Sequence, residues 1–87
     1  MNNQPKVALV TGSAKRLGKQ IVITLHQHGY NVIIHCHRSI DQANELAATL
    51  NNERANSAKV ISGDITNEQS LKDIVSHTMV CFDRLDL

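Results

Sequence analysis

The chain has 87 residues, a net charge of +1, 41% hydrophobic and 20% charged residues. That is room for one small domain of ordinary globular composition. No apolar run approaches the roughly 20 residues of a membrane-spanning helix, and the start "MNNQPKVALV" carries no signal-peptide pattern, so the expected setting is cytoplasmic. Charge is unevenly divided. Residues 1–40 hold Lys6, Lys15, Arg16, Lys19 and Arg38 and no acid, whereas all eight acids lie in residues 41–87. Three of those five cations fall inside or beside one glycine-containing loop. With one Tyr, one Phe and no Trp, no aromatic residues alternate with the cations. A small polyanion held at one place therefore fits better than a nucleic acid.

In chain order, "KVALV" (Lys6–Val10) reads as a buried strand entering a turn at Thr11-Gly12. Leu17, Ile21, Leu25 and His28 recur at helical spacing, and Gly29 is placed to stop that helix. "NVIIH" (Asn31–His35) is a second buried strand, followed by a capping-box signal, Ser39 with Gln42. Ala43, Leu46, Ala47 and Leu50 form the inner stripe of a second helix. "KVISG" (Lys59–Gly63) is a third strand. Thr66 with Gln69 marks a third helix start, continued by Leu71, Ile74, Val75, Thr78 and Phe82. "RLDL" at the end reads as the opening of a fourth strand. This alternation predicts an α/β fold with a Rossmann-like doubly wound parallel sheet. Only its first half is present, β-α-β-α-β-α plus the start of a fourth strand. The expectation is thus the amino-terminal part of one nucleotide-binding domain, rather than a self-contained small domain.

The chemistry concentrates in "LVTGSAKRLG" (Leu9–Gly18), between the first strand and the first helix. Gly12 permits a tight turn and Gly18 close packing of helix on sheet, and the free N–H groups of a helix start favour a pyrophosphate. An ordinary strand-to-helix turn could use the same glycines. Arg16 stands against the helix dipole, which argues for a ligand rather than simple solvation. A guanidinium there can bond phosphate oxygens and offer donors to a planar heterocycle. At the end of the second strand, where an acid would hold the 2′-hydroxyl of NAD, the sequence has His37, Arg38 and Ser39 and no acid until Asp41. These donors suit the 2′-phosphate of NADPH, with Lys15 within reach. His35 and His37 on one strand face make a poor metal site with no matching pair elsewhere. Cys36 and Cys81 lack motif spacing and read as free thiols rather than a disulfide.

Thr11-Gly12-x-x-x-Arg16-x-Gly18 resembles the cofactor loop of the short-chain dehydrogenases/reductases, with Arg16 replacing the usual middle glycine. That form, with "VALVTGSAKRLG", "LHQHGY", "HCHRS" and "GDI", is similar to the pteridine reductase branch of the family. The resemblance runs from about Lys6 to the last residue. It implies NADPH as cofactor and a pterin as substrate, with no nucleic-acid or membrane partner and a homo-oligomer, a tetramer, as the assembly. It implies cofactor contacts from Gly12, Lys15, Arg16, Leu17, His37, Arg38, Ser39, Asp64 and Ile65, and a substrate contact from Arg16. Asp64 would accept from the adenine amino group and Ile65 would line the adenine pocket; Asp64 reads equally as an acid flanking the Thr66 cap. The catalytic Tyr-x-x-x-Lys of the family is not in these residues, since Tyr30 is followed four places on by Ile34. No catalytic residue is assigned. The alternatives are a short-chain reductase of carbonyl substrates, or a non-catalytic nucleotide-binding module.

Overall fold

The computed structural model describes residues 5–12, 16–64, 67–82 and 84–87. The elements follow the order β1 (Val7–Val10), α1 (Arg16–Gln27), β2 (Asn31–Cys36), α2 (Ile40–Glu53), β3 (Ala58–Ser62) and α3 (Glu68–Phe82). The three strands form one parallel sheet in the order β1-β2-β3, with Val7 opposite Asn31 and Val32 opposite Ala58. The last residues continue the sheet on the free side of β1. The Leu87 amide donates to the Val7 carbonyl at 3.1 Å, and the Leu9 amide donates to the Leu87 carbonyl at 2.6 Å. One residue bonded to two partners two places apart is the slanted pattern of parallel pairing. The expected fourth strand therefore begins beside β1, which gives the spatial order β3-β2-β1 and then residues 84–87.

β2 is apolar on both sides because both sides are covered, as parallel sheets require. Val32, Ile34 and Cys36 join Val22 of α1 and Ala43, Leu46, Ala47 and Leu50 of α2 in one core cluster. Ile33 turns the other way, to Val7, Ile61 and Ile74 of α3. Ile33 and Ile34 have no exposed surface, so truncating either to alanine should cost about 2–5 kcal/mol. Cys36 and Cys81 are free thiols packed on opposite sides of the sheet.

α1 ends as expected at Gly29 (φ 93°). The Gly29 amide donates to the His26 carbonyl and the Tyr30 amide to the Leu25 carbonyl, both at 3.1 Å. This is a Schellman closure, with Leu25 and Tyr30 packed against the same cluster. The buried face of α1 differs from the expected stripe. Val22 and His26 are buried, whereas Leu17 is 74% and Ile21 41% exposed. The helix carries two overlapping apolar rows, and the row centred on Val22 is the one that β2 and α2 cover.

Two helix starts also differ. Ser39 precedes α2 but makes no side-chain capping bond, and only its carbonyl enters the helix, accepting from the Ala43 amide at 3.0 Å. Its φ and ψ, −94° and 48°, lie outside the extended region that capping serines adopt. At α3 the cap is Asn67, whose Oδ1 accepts the Ser70 amide at 3.1 Å. The expected Thr66 lies outside the described residues.

Candidate functional site

Because the strands are parallel, the turns that leave them emerge at one edge of the sheet, where open α/β folds hold their ligands. Thr11-Gly12 follows β1, His37-Arg38-Ser39 follows β2, and Gly63-Asp64 follows β3. Gly12 is exposed with φ 59°, and a β-carbon built on it would meet nothing within 4 Å among the described residues. The backbone conformation favours glycine here, and among the described residues nothing fills the space above it. His37 and Arg38 are exposed and Ser39 is half-buried, its hydroxyl unused as a cap. Asp64 is half-buried at the end of the third turn.

One side chain ties these turns together. His35, near the end of β2, is 3% exposed. Its Nδ1 accepts the Gly12 amide at 3.3 Å, and its Nε2 pairs with the Gly63 carbonyl at 2.7 Å. The Gly12 amide can only donate, so the ring proton sits on Nε2, which donates to Gly63. Gly63 is held further by its own amide, which donates to the Cys36 carbonyl at 3.1 Å. Its lack of a β-carbon lets Ile74 of α3 close in, since one built there would lie 3.2 Å from Ile74 Cδ1. The sequence reads His35 as a strand-end residue near the cofactor, without showing what it bonds. Among its partners are two glycines in the turns that follow the neighbouring strands, a relationship that appears only once the register is known.

Arg16 opens α1 with φ 54°, a left-handed conformation uncommon for a residue bearing a β-carbon. Its exposed side chain lines an open groove of about 690 Å³ between α1 and α2, together with Lys19, Gln42 and Glu45. Leu17 is exposed at the same helix start. The structure thus gathers Gly12, His37, Arg38, Ser39 and Asp64 at one sheet edge and sets Arg16 on the side facing α2. Lys15 and Ile65 lie outside the described residues.

The opposite edge of the sheet is a structural lock. His26 Nε2 bonds Ser57 Oγ at 2.7 Å, and Asn51 Oδ1 accepts the Ser57 and Ala58 amides, each at 2.9 Å. Arg54 donates to the His26 carbonyl at 3.1 Å, which also accepts the Gly29 amide, and to the Tyr30 carbonyl, tying the residues that follow α2 to the end of α1. Burial, and then the Arg54 charge, hold His26 below its ordinary pKa, against a smaller upward pull from Glu53. Tyr30 belongs to this edge, away from the turns. Burial pushes the Cys36 thiol up, which suits a core residue rather than a nucleophile. Among the described residues no three His, Cys, Asp or Glu side chains gather as a metal site.

Residues 6–87 match the family described as short chain dehydrogenase. The chain belongs to that family. It is 56% identical over 61 residues to pteridine reductase 1 of Leishmania tarentolae, a match covering 70% of this chain and 21% of that protein. It is 35% identical over 85 residues to versicolorin reductase 1 of Dothistroma septosporum, covering 94% of this chain and 31% of the relative. With the 3-oxoacyl-acyl-carrier-protein reductase of Aggregatibacter actinomycetemcomitans it shares 31% over 65 residues, 75% of this chain and 26% of that one. The chain therefore spans between about a fifth and a third of the length of these short-chain dehydrogenase relatives. The parallel sheet with helices on both faces is the Rossmann-like arrangement expected of the family.

Proposed function

We propose that this chain forms the NADPH-binding part of a short-chain reductase that acts on pterins. The observation that carries the cofactor choice is the end of β2, where exposed His37 and Arg38 and the uncapped Ser39 hydroxyl stand with no acid among them. A guanidinium paired with a phosphate contributes on the order of 1.5–3 kcal/mol, or more than about tenfold in affinity. Gly12, open above its α-carbon, and the exposed start of α1 suit the pyrophosphate. Asp64 is proposed as a contact on the adenine side, and Lys15 and Ile65 as further cofactor contacts. The 56% identity with a pteridine reductase, with Arg16 in the loop, supports a pterin as substrate.

The nicotinamide would supply a hydride to an imine carbon of a dihydropterin, and a proton must reach the adjacent nitrogen. This chain's residues bind and orient the cofactor; Tyr30, at the far edge of the sheet, is not the proton donor. In the same reading the whole protein is a cytoplasmic homo-oligomer, a tetramer. A second reading, reduction of a carbonyl substrate, is favoured by the likeness to versicolorin and 3-oxoacyl reductases.

The test is titration of the intact protein with NADPH and NADH, then cofactor oxidation with a dihydropterin and with a β-keto thioester. Tighter NADPH binding and turnover of the dihydropterin are expected. Turnover of the keto thioester alone would replace the substrate. NADPH binding without turnover of either would favour a non-catalytic module, and equal or tighter NADH binding would overturn the cofactor choice.

A further inference from the structure

We infer that His35 is a positioning residue for the cofactor, setting the Gly12 turn against the pyrophosphate through its Nδ1 acceptor; this role rests on the NADPH reading above. The geometry has three parts. The ring is buried and central, on the strand between the two it joins. Its two nitrogens have opposite duties, Nδ1 accepting from Gly12 and Nε2 donating to Gly63. Both partners are main-chain groups of glycines in turns that lead directly into candidate contact residues.

A turn built on glycine has wide conformational freedom. Gly12 is exposed, and among the described residues nothing packs above its α-carbon, so its orientation needs a fixed partner. The bond to Nδ1 is such a partner. It occupies the Gly12 amide and so fixes the Gly12 peptide plane, and with it the α-carbon face that the turn offers to an anion. At the other end, Gly63 is already held by the Cys36 carbonyl and closed over by Ile74. The Nε2 bond therefore anchors the ring on the rigid side, and the Nδ1 bond transmits that rigidity to the open side. Cofactor affinity depends on pre-set donors, because ordering a loose loop on binding subtracts from the affinity.

The two duties can be separated by isosteres. Asparagine places a carbonyl oxygen near the position of Nδ1, whereas glutamine places its amide near that of Nε2. The experiment compares wild type, His35→Asn, His35→Gln and His35→Leu in the intact protein, titrated with NADPH and with 2′-AMP, which carries the adenine and the 2′-phosphate but no pyrophosphate. NADPH affinity should fall at least about tenfold in His35→Gln and His35→Leu. His35→Asn should recover most of it, and 2′-AMP affinity should change less than about threefold throughout. A merely structural histidine would lower both affinities together and show no asparagine rescue, and that result overturns the role. The ring ¹⁵N spectrum of wild type stands apart from binding and from the folding of any variant: a proton on Nδ1 rather than Nε2 overturns it as well. Wild type that fails to bind NADPH at all would overturn the functional reading and this role with it. Wild type that binds, beside a His35→Gln variant that binds equally well, would overturn the role of His35 alone.

Discussion

The carboxylate of Asp86 reaches across the sheet edge to Val7, accepting its main-chain N–H through Oδ2 at 2.8 Å. Arg84 holds the same carboxylate with two bonds, Nε to Oδ2 and Nη2 to Oδ1, each at 2.8 Å. The start of β1 is thereby clamped to the residues that begin the fourth strand. The Arg84 hydrogen bonds first, and then the Val7 amide, hold Asp86 below its ordinary carboxyl value of 3.8. A carboxylate depressed in the folded state stabilises at every pH above its unfolded value and stops doing so as pH falls through the folded one. Asp86→Ala should therefore melt lower than wild type at neutral pH, and the gap should narrow in acid, below 3.8. Thermal melts of both proteins across that range check this; equal melting temperatures at neutral pH would remove the clamp from the account.

His26 titrates with the same sign in a higher pH range. Its folded pKa lies below the ordinary 6.5, chiefly through burial and then Arg54. The unfolded chain binds the proton more readily, so stability is full above 6.5 and is lost as pH falls from there toward the depressed value. His26→Gln can still bond Ser57 but has no proton to gain. Wild type should lose melting temperature between about pH 7.5 and about pH 5.5, and the variant should lose less over the same interval. Parallel slopes for the two proteins would show that other groups carry the acid sensitivity.

How far such relationships could be read from the chain varies with the kind of signal. The four inner positions of α2, Ala43, Leu46, Ala47 and Leu50, are buried as their spacing predicts, because one apolar stripe on a polar helix leaves no choice. α1 has two competing rows, and the choice between Leu17-Ile21 and Val22-His26 was made by the sheet, which the helix pattern alone does not contain. Ser39 carries the composition of a cap, but its backbone conformation leaves the hydroxyl out of the helix. That a glycine turn follows β1 and that His37-Arg38-Ser39 follows β2 was legible because each is a contiguous stretch between recognisable elements. His35 was not, since its partners lie 23 and 28 residues away and meet it only through strand register.

Arg38 tests the cofactor choice directly. It is exposed just beyond β2, in the segment where an acid would hold a ribose hydroxyl. Arg38→Ala should weaken NADPH about tenfold or more and leave NADH nearly unchanged, because only the former carries the phosphate. Arg38→Asp should weaken NADPH further and bring NADH closer to it. Paired titrations read both numbers, and a variant that loses both cofactors equally would mean Arg38 supports the fold and not the phosphate.

Arg16 makes a prediction in which stability and activity move apart. Its φ of 54° places a residue with a β-carbon in a region that glycine enters freely. The left-handed conformation costs an L-residue about 1–2 kcal/mol, partly offset in a glycine variant by the greater freedom of the unfolded chain. Arg16→Gly should therefore melt at or above the wild-type temperature. Under the proposed function, the same substitution removes a charged donor from the junction of cofactor loop and substrate, and a site built to hydrogen-bond a heterocycle edge loses heavily when one donor goes. kcat/KM for a dihydropterin should then fall more than NADPH affinity does. Melting, cofactor titration and steady-state kinetics on one variant separate the contributions. A lower melting temperature would show that the guanidinium contributes more to the fold than its backbone strain removes. A loss confined to NADPH affinity would make Arg16 a phosphate ligand alone and withdraw the local support for a pterin.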